Sequence, residues 1–409
     1  MSEIQRNHLK SIRYLLDQFP IVAILGARQV GKSTLMRMIW PDAPLFDLEN
    51  ERDRLIITQD AEFFLQQHPA PICFDEAQTS PDLFKALRVA VDQKRDVCGQ
   101  YLISGSSSPQ LLKNISESLA GRVAIYEMGS LMTNEAYRQT PSQLYEHILQ
   151  EKPEALLNLP VRFNAQQLLD LCYYGGYPEP FLRREETIFH DQWIENYLRT
   201  YIDRDIRALF PTLKLDVYRR FIQMLAVHSG QLINANQLAN SLDVTHPTIK
   251  HYLEIVDGTF LWRALPSFQK NLGKRLIKMP KGYFRDTGLL CRFLKIHDPQ
   301  ALMNHPHYGA IWESFITEQI IQNMKAQLRS FDYYFYRTQH QTEVDLVLSG
   351  AFGLIPIEIK TGLKTDRARI KSLSAFIADY DCPYGLVINQ SEQPAYLAPK
   401  IIQLPAGCL

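Results

Sequence analysis

Eight residues near the start, Gly26-Ala27-Arg28-Gln29-Val30-Gly31-Lys32-Ser33, fit the pattern G-x-x-x-x-G-K-[ST], with the apolar run Ile21–Leu25 before them and a helical run, Thr34 to Trp40, after. The chemistry of that pattern is phosphate binding. Glycines let backbone N–H groups curl around phosphate oxygens, the helix N-terminus adds partial positive charge, Lys32 reaches the β and γ phosphates, and Ser33 offers a hydroxyl to Mg²⁺. A second apolar run, Ile72-Cys73-Phe74, ends in two carboxylates. Asp75 is placed to hold Mg²⁺ through water and Glu76 to act as general base on the attacking water, which is the requirement for ATP hydrolysis. A third run ends Ile103-Ser104-Gly105-Ser106, where the Ser106 hydroxyl is a candidate γ-phosphate sensor, and Arg122 is a candidate arginine finger, acting within its own chain or from a neighbouring copy in a homo-oligomer.

A second constellation lies near the carboxy end. Asp345 falls on an alternating run, and twelve residues separate it from Glu358-Ile359-Lys360 on the next. Residues i and i+2 of a strand share a face, so Glu358 and Lys360 point the same way. Two carboxylates and a lysine at one sheet edge suit Mg²⁺-dependent phosphodiester hydrolysis, with Asp345 and Glu358 as metal ligands, Lys360 orienting or deprotonating water, and Glu313, from the helical run Ala310–Ile316, a third ligand.

These groups need elements to position them. To about residue 160, strand-like runs (21–25, 71–74, 100–104) alternate with helical patterns, which predicts a mainly parallel α/β domain. Residues 161 to 300 are mostly helical. Residues 301 to 409 return to strands (333–336, 343–348, 354–359, 385–388), with a helix before them and another between the last two, predicting a second, smaller α/β unit. Within the middle segment, Asn236–Leu242 and Thr245–Val256 read as two helices, Thr245 capping the second, followed by the strand Phe260–Leu265. That is the outline of a winged helix-turn-helix. Seven basic residues and no acidic one stand between Arg263 and Arg285 (Arg263, Lys270, Lys274, Arg275, Lys278, Lys281, Arg285), a local positive patch suited to DNA phosphates beside His246, Thr248, Lys250 and His251.

Composition narrows the classes. The 409 residues suffice for two to four folded units, and 46% hydrophobic with 11% aromatic residues is a globular composition. Lys plus Arg and Asp plus Glu each total 44, which excludes a global polycation. The six cysteines are scattered without ligand spacing and read as free thiols; His305-Pro306-His307 has no partner that would make it a metal site. No early apolar run approaches the roughly 20 residues needed to span a bilayer, and the expectation is a cytosolic protein without a membrane partner.

The phosphate loop, Cys73-Phe-Asp-Glu-Ala-Gln78, Leu102-Ile-Ser-Gly-Ser106 and Ser118-Leu-Ala-Gly-Arg122 resemble the AAA+-type ATPase domain of a large prokaryotic family that carries a carboxy-terminal DUF4143 region. Gly175-Gly-Tyr-Pro-Glu179, Tyr201-Ile-Asp-Arg-Asp205 and Lys281-Gly-Tyr-Phe-Arg-Asp286-Thr-Gly-Leu289 resemble its second part. Ala27 replaces the family's usual proline and Ser33 its usual threonine, both chemically tolerable. The carboxy-terminal set resembles the PD-(D/E)xK nuclease fold in the version used by archaeal Holliday-junction resolvases, with Val344 where a proline is usual. The resemblance implies an α/β multidomain protein: a P-loop AAA+-like ATPase, a helical and winged-helix middle, and a small nuclease-like domain. The leading expectation is a Mg-ATP cycle, with Gly26 to Thr34, Asp75 and Ser106 on the nucleotide, that drives or gates a half acting on DNA; cleavage by the nuclease-like site is a separate expectation, since a fold does not guarantee its chemistry. The rival expectation is an ATP-dependent switch acting on a protein partner, its nuclease-like site silent.

Overall fold

The computed structural model describes residues 4–106, 108–269, 279–338, 342–363 and 367–409. Two compact units divide the chain, one of Met1–Leu131 with Gly258–Leu261, the other of Met132–Asp257 with Trp262–Leu409. Residues 132–160, read above as the tail of the first segment, therefore fall in the second unit.

The first unit is a parallel sheet of β1 (Ile21–Leu25), β2 (Leu45–Asp47), β3 (Ile72–Asp75), β4 (Tyr101–Gly105) and β5 (Val123–Glu127) in the order β2-β3-β4-β1-β5. Every residue of β1, β3 and β4 is buried, as expected of central strands covered on both faces, and this is why they read as unbroken apolar runs. Helix α1 (His8–Gln18) precedes β1, and α2 (Lys32–Ile39) follows it, burying Lys32, Leu35, Met36 and Ile39 at helical spacing. Open parallel sheets place ligands outside the carboxyl ends of their strands, and here the ends of β1, β3 and β4 carry the phosphate loop, Asp75-Glu76 and Ser104-Gly105-Ser106.

In the second unit, the helices Ala235–Leu242 and His246–Gly258 stand beside a small antiparallel sheet of β6 (Gln231–Leu232), β7 (Trp262–Leu265) and β8 (Lys281–Phe284), ordered β6-β8-β7. Asn234 caps the first helix through Asn236 N and Gln237 N, and Thr245 Oγ1 accepts from Thr248 N, so the expected helix-turn-helix and its cap are present. The carboxy-terminal sheet is mixed: β9 (Phe331–Arg337), β10 (Glu343–Gly350) and β11 (Gly353–Ile359) form a meander, β12 (Gly385–Asn389) and β14 (Ile401–Pro405) continue it in parallel, and β13 (Ala395–Ala398) closes the edge. The helix Tyr308–Lys325 precedes the meander and is buried without interruption from Ser314 to Met324. Helix Arg367–Tyr380 makes the crossover that the parallel pair β11 and β12 requires. All six cysteines are free thiols, and among the described residues no helix is long and apolar enough to cross a membrane.

Candidate functional site

The loop between β1 and α2 is shaped by backbone constraints. A Cβ on Gly26 would stand 2.3 Å from Met128 O, and Gly31 and Gln29 take left-handed φ values of 97° and 60°. Arg6 braces the loop from before α1, donating through Nη1 to Val30 O (2.8 Å) and through Nη2 to Gly129 O (2.8 Å). Lys32 Nζ is buried and donates to Gly26 O and Ala27 O, each at 3.0 Å, which keeps its ammonium inside the curl of the loop. Burial lowers its pKa, against the opposing pull of Glu76 and Asp75. Arg28 pairs with Glu49.

At the end of β3, Asp75 Oδ2 accepts from the Ser33 hydroxyl and Oδ1 from the Ser104 hydroxyl. A hydroxyl and a carboxylate brought together are hard oxygen donors of the kind Mg²⁺ takes, so Ser33 and Asp75 fit that ion. Glu76 has a left-handed φ of 50°, the sort of local cost that a non-glycine residue carries at functional sites. Its Oε2 accepts from Gln78 Nε2 (2.6 Å), Ser106 Oγ (2.7 Å) and Ser106 N (3.1 Å), and Oε1 lies 3.7 Å from Lys32 Nζ. Burial would raise the Glu76 pKa, but Lys32 and the bonds from Gln78 and Ser106 outweigh it and leave the carboxyl below its usual range. Lys32, Ser33, Asp75, Glu76 and Ser106 thus converge, as their spacing implies. The sequence reading missed Arg6, Gln78 and Ser104; Gln78 was the legible one, two residues beyond Glu76.

Arg122 does not join them. Its guanidinium forks onto Asp92 at 2.7 and 2.8 Å, and its carbonyl accepts from Ile21 N, at the amino edge of β1 and β5. A strand of five residues, roughly 16 Å, separates that edge from the loop. Within its own chain Arg122 is an edge ion pair and not a finger.

At the carboxy-terminal constellation, β10 gains a residue relative to β9 between Val344 and Val347, a bulge at Asp345. Asp345 Oδ2 accepts from Ile359 N (2.8 Å) and lies 3.7 Å from Lys360 Nζ. Lys360 Nζ is 2.6 Å from Glu358 Oε1, and Arg369 Nε 3.5 Å from the same oxygen. Burial and the Asp345 charge raise the Glu358 pKa to about 8 despite Lys360. Glu313 faces Lys281 instead, with Nζ 2.5 Å from its Oε1, 3.2 Å from Glu343 Oε1 and 3.9 Å from Asp345 Oδ1, while the Tyr283 hydroxyl also donates to Glu313. Burial works against the Lys281 ammonium, but Glu313, Tyr283, Asp345 and Glu343 together hold its pKa well above the ordinary value. Among the described residues no three His, Cys, Asp or Glu side chains form a group able to hold a metal ion. Glu313, Asp345 and Glu358 do not fit as a joint metal-ligand set.

The positive patch also needs correction. Arg263 donates to Glu318 through Nε (2.7 Å) and Nη2 (2.8 Å), and Arg285 Nε adds a third bond at 3.1 Å. Burial opposes the Glu318 charge, but Arg263 and Arg285 bring its pKa down to about 2. With Lys281 buried as well, three of the seven basic residues turn towards carboxylates of the helix Tyr308–Lys325, Arg263 and Arg285 to the buried Glu318 and Lys281 to the partly buried Glu313. Lys270, Lys274, Arg275 and Lys278 lie outside the described residues.

Residues 18–137 match the family described as an AAA domain, residues 165–300 a domain of unknown function (DUF8612), and residues 308–409 a domain of unknown function (DUF4143). The uncharacterized proteins Mb2031c of Mycobacterium bovis and Rv2008c of Mycobacterium tuberculosis are each 32% identical over 405 residues, covering 98% of this chain and 83% of their own. Among solved structures, the Walker-type ATPase paby2304 of Pyrococcus abyssi covers 72% of this chain and 96% of its own, at 15% identity and a TM-score of 0.42.

Proposed function

Because the chain belongs to the prokaryotic family of P-loop ATPases that joins an AAA domain to a DUF4143 domain, we propose that it hydrolyses Mg-ATP and uses the cycle as a switch, with the carboxy-terminal half as a partner-binding platform. The observation that carries the hydrolytic reading is the convergence of Lys32, Ser33, Asp75 and Glu76 at the carboxyl ends of β1 and β3. Mg²⁺, held by Ser33 and through water by Asp75, would offset charge on the β and γ phosphates. Lys32 and the backbone N–H groups of Gly26 to Thr34 bind the phosphates, Glu76 takes the proton of the attacking water, and Ser106 holds Glu76 in position. The lowered Glu76 pKa keeps that base ionised at neutral pH.

The domain order we adopt is an ATPase to about residue 131, a helical and winged-helix part to about 300, and a nuclease-like domain to 409. The order helix, three strands, helix, strand from Tyr308 to Asn389 supports the nuclease-like fold. The Lys281 ammonium on Glu313, Glu343 and Asp345 favours a silent site over a cleaving one, and a protein is then the partner. DNA contact is the second reading, favoured by Lys250 and His251 exposed on the second helix of the helix-turn-helix. The free thiols suit a cytosolic setting. The test is ATP turnover by the full chain with Mg²⁺, together with DNA binding across a salt series. Turnover abolished in Lys32→Ala, with no salt-dependent DNA binding, is the expected result. Absence of turnover in the parent would sink the hydrolytic reading, and steep salt-dependent DNA binding would move the partner to DNA.

A further inference from the structure

We propose that the ammonium of Lys281 is the resident cation of the carboxy-terminal carboxylates, standing where a nuclease-like site would hold a divalent metal, and that the domain works without one. The inference rests on the nuclease-like reading of this domain. Lys281 is 4% exposed and enters from β8, in the winged-helix sheet, to meet Glu313 on the helix Tyr308–Lys325 and Glu343 and Asp345 on β10. An ammonium has three donors and no acceptor, and here three carboxylates surround it. On the far side of Asp345, Lys360 and Arg369 face Glu358. Among the described residues, four carboxylates (Glu313, Glu343, Asp345, Glu358) thus meet three cations (Lys281, Lys360, Arg369). A divalent ion entering this cluster would meet a fixed ammonium held by the same oxygens, and displacing that ammonium would leave a buried charge without partners. The same contacts give Lys281 a positive role: it ties the small sheet to the carboxy-terminal sheet through carboxylates whose counterparts in a cutting enzyme would bind metal.

The experiment measures Mn²⁺ uptake by electron paramagnetic resonance on the full chain without nucleotide, in the parent, Asp345→Asn, Lys281→Ala and Lys281→Ala/Asp345→Asn. All four share the same phosphate loop, so differences report the carboxy-terminal cluster. Parent and Asp345→Asn should take up equal Mn²⁺, and Lys281→Ala about one ion more per chain, lost again in the double variant. Lys281→Gln, which keeps most of the side chain, serves as the second variant if Lys281→Ala does not fold. Parent uptake above that of Asp345→Asn overturns the proposal, as does a folded Lys281→Ala or Lys281→Gln that gains nothing. Supercoiled DNA in the same samples separates two failures. Cutting by the parent that Asp345→Asn abolishes overturns the silent-site reading as well, whereas Mn²⁺ uptake at Asp345 without cutting overturns only the assignment of Lys281.

Discussion

The Ser106 hydroxyl donates to Glu76 Oε2 across 2.7 Å, so one carboxylate joins the ends of the neighbouring strands β3 and β4. Gln78 Nε2 shares that oxygen at 2.6 Å. Ser106→Ala removes a hydrogen bond to a charged group and should lower kcat for ATP by about 10-fold to 100-fold. KM should stay within about twofold, since Ser106 acts through Glu76; steady-state kinetics at saturating Mg-ATP reads both.

Glu76→Gln keeps the shape of the side chain and removes the base. Turnover should fall by about 10²-fold to 10⁴-fold while nucleotide still binds. Equilibrium binding of a fluorescent ATP analogue beside a phosphate-release assay checks the split; retained turnover would take the base role from Glu76.

Arg122→Ala breaks the fork onto Asp92 at the edge of the sheet away from the loop. If each chain works alone, ATP turnover should change by less than about twofold. A folded variant that loses turnover, and regains it on mixing with Lys32→Ala, would show instead that Arg122 serves a neighbouring copy.

Glu318 gives the pH dependence a sign. Its folded pKa of about 2 lies below the ordinary 4.5, so its stabilisation is complete above about 4.5 and is lost as pH falls towards 2. Glu318→Gln should therefore destabilise the second unit by about 3 kcal/mol at pH 7, with the gap to the parent narrowing below pH 4.5. Urea unfolding followed by tryptophan fluorescence measures it, since Trp193, Trp262 and Trp312 all lie in that unit.

The nucleotide side was legible because its signals are local. A loop pattern and an apolar strand ending in Asp-Glu specify chemistry within a few residues, and β1, β3 and β4 were read within a residue of their observed starts. The edge strand β2 was missed, being three residues long and incompletely buried. The carboxy-terminal half was legible as elements but not as electrostatics. Seven basic residues in a stretch of 23 look like a surface, and nothing within it says that Glu313 and Glu318, 32 to 55 residues on, will draw Lys281, Arg285 and Arg263 towards them. The bulge at Asp345 is equally silent in sequence, because it depends on the register of β9.

Glu313 and Glu318 stand five residues apart on one helix, and each grips a cation from β7, β8 or the residue just after β8. Separating the small sheet from that helix would strand both carboxylates in the interior together. The winged-helix sheet and the helix Tyr308–Lys325 should accordingly belong to one foldon, their amide protons exchanging with solvent in a single cooperative opening instead of a peripheral layer fraying ahead of a core.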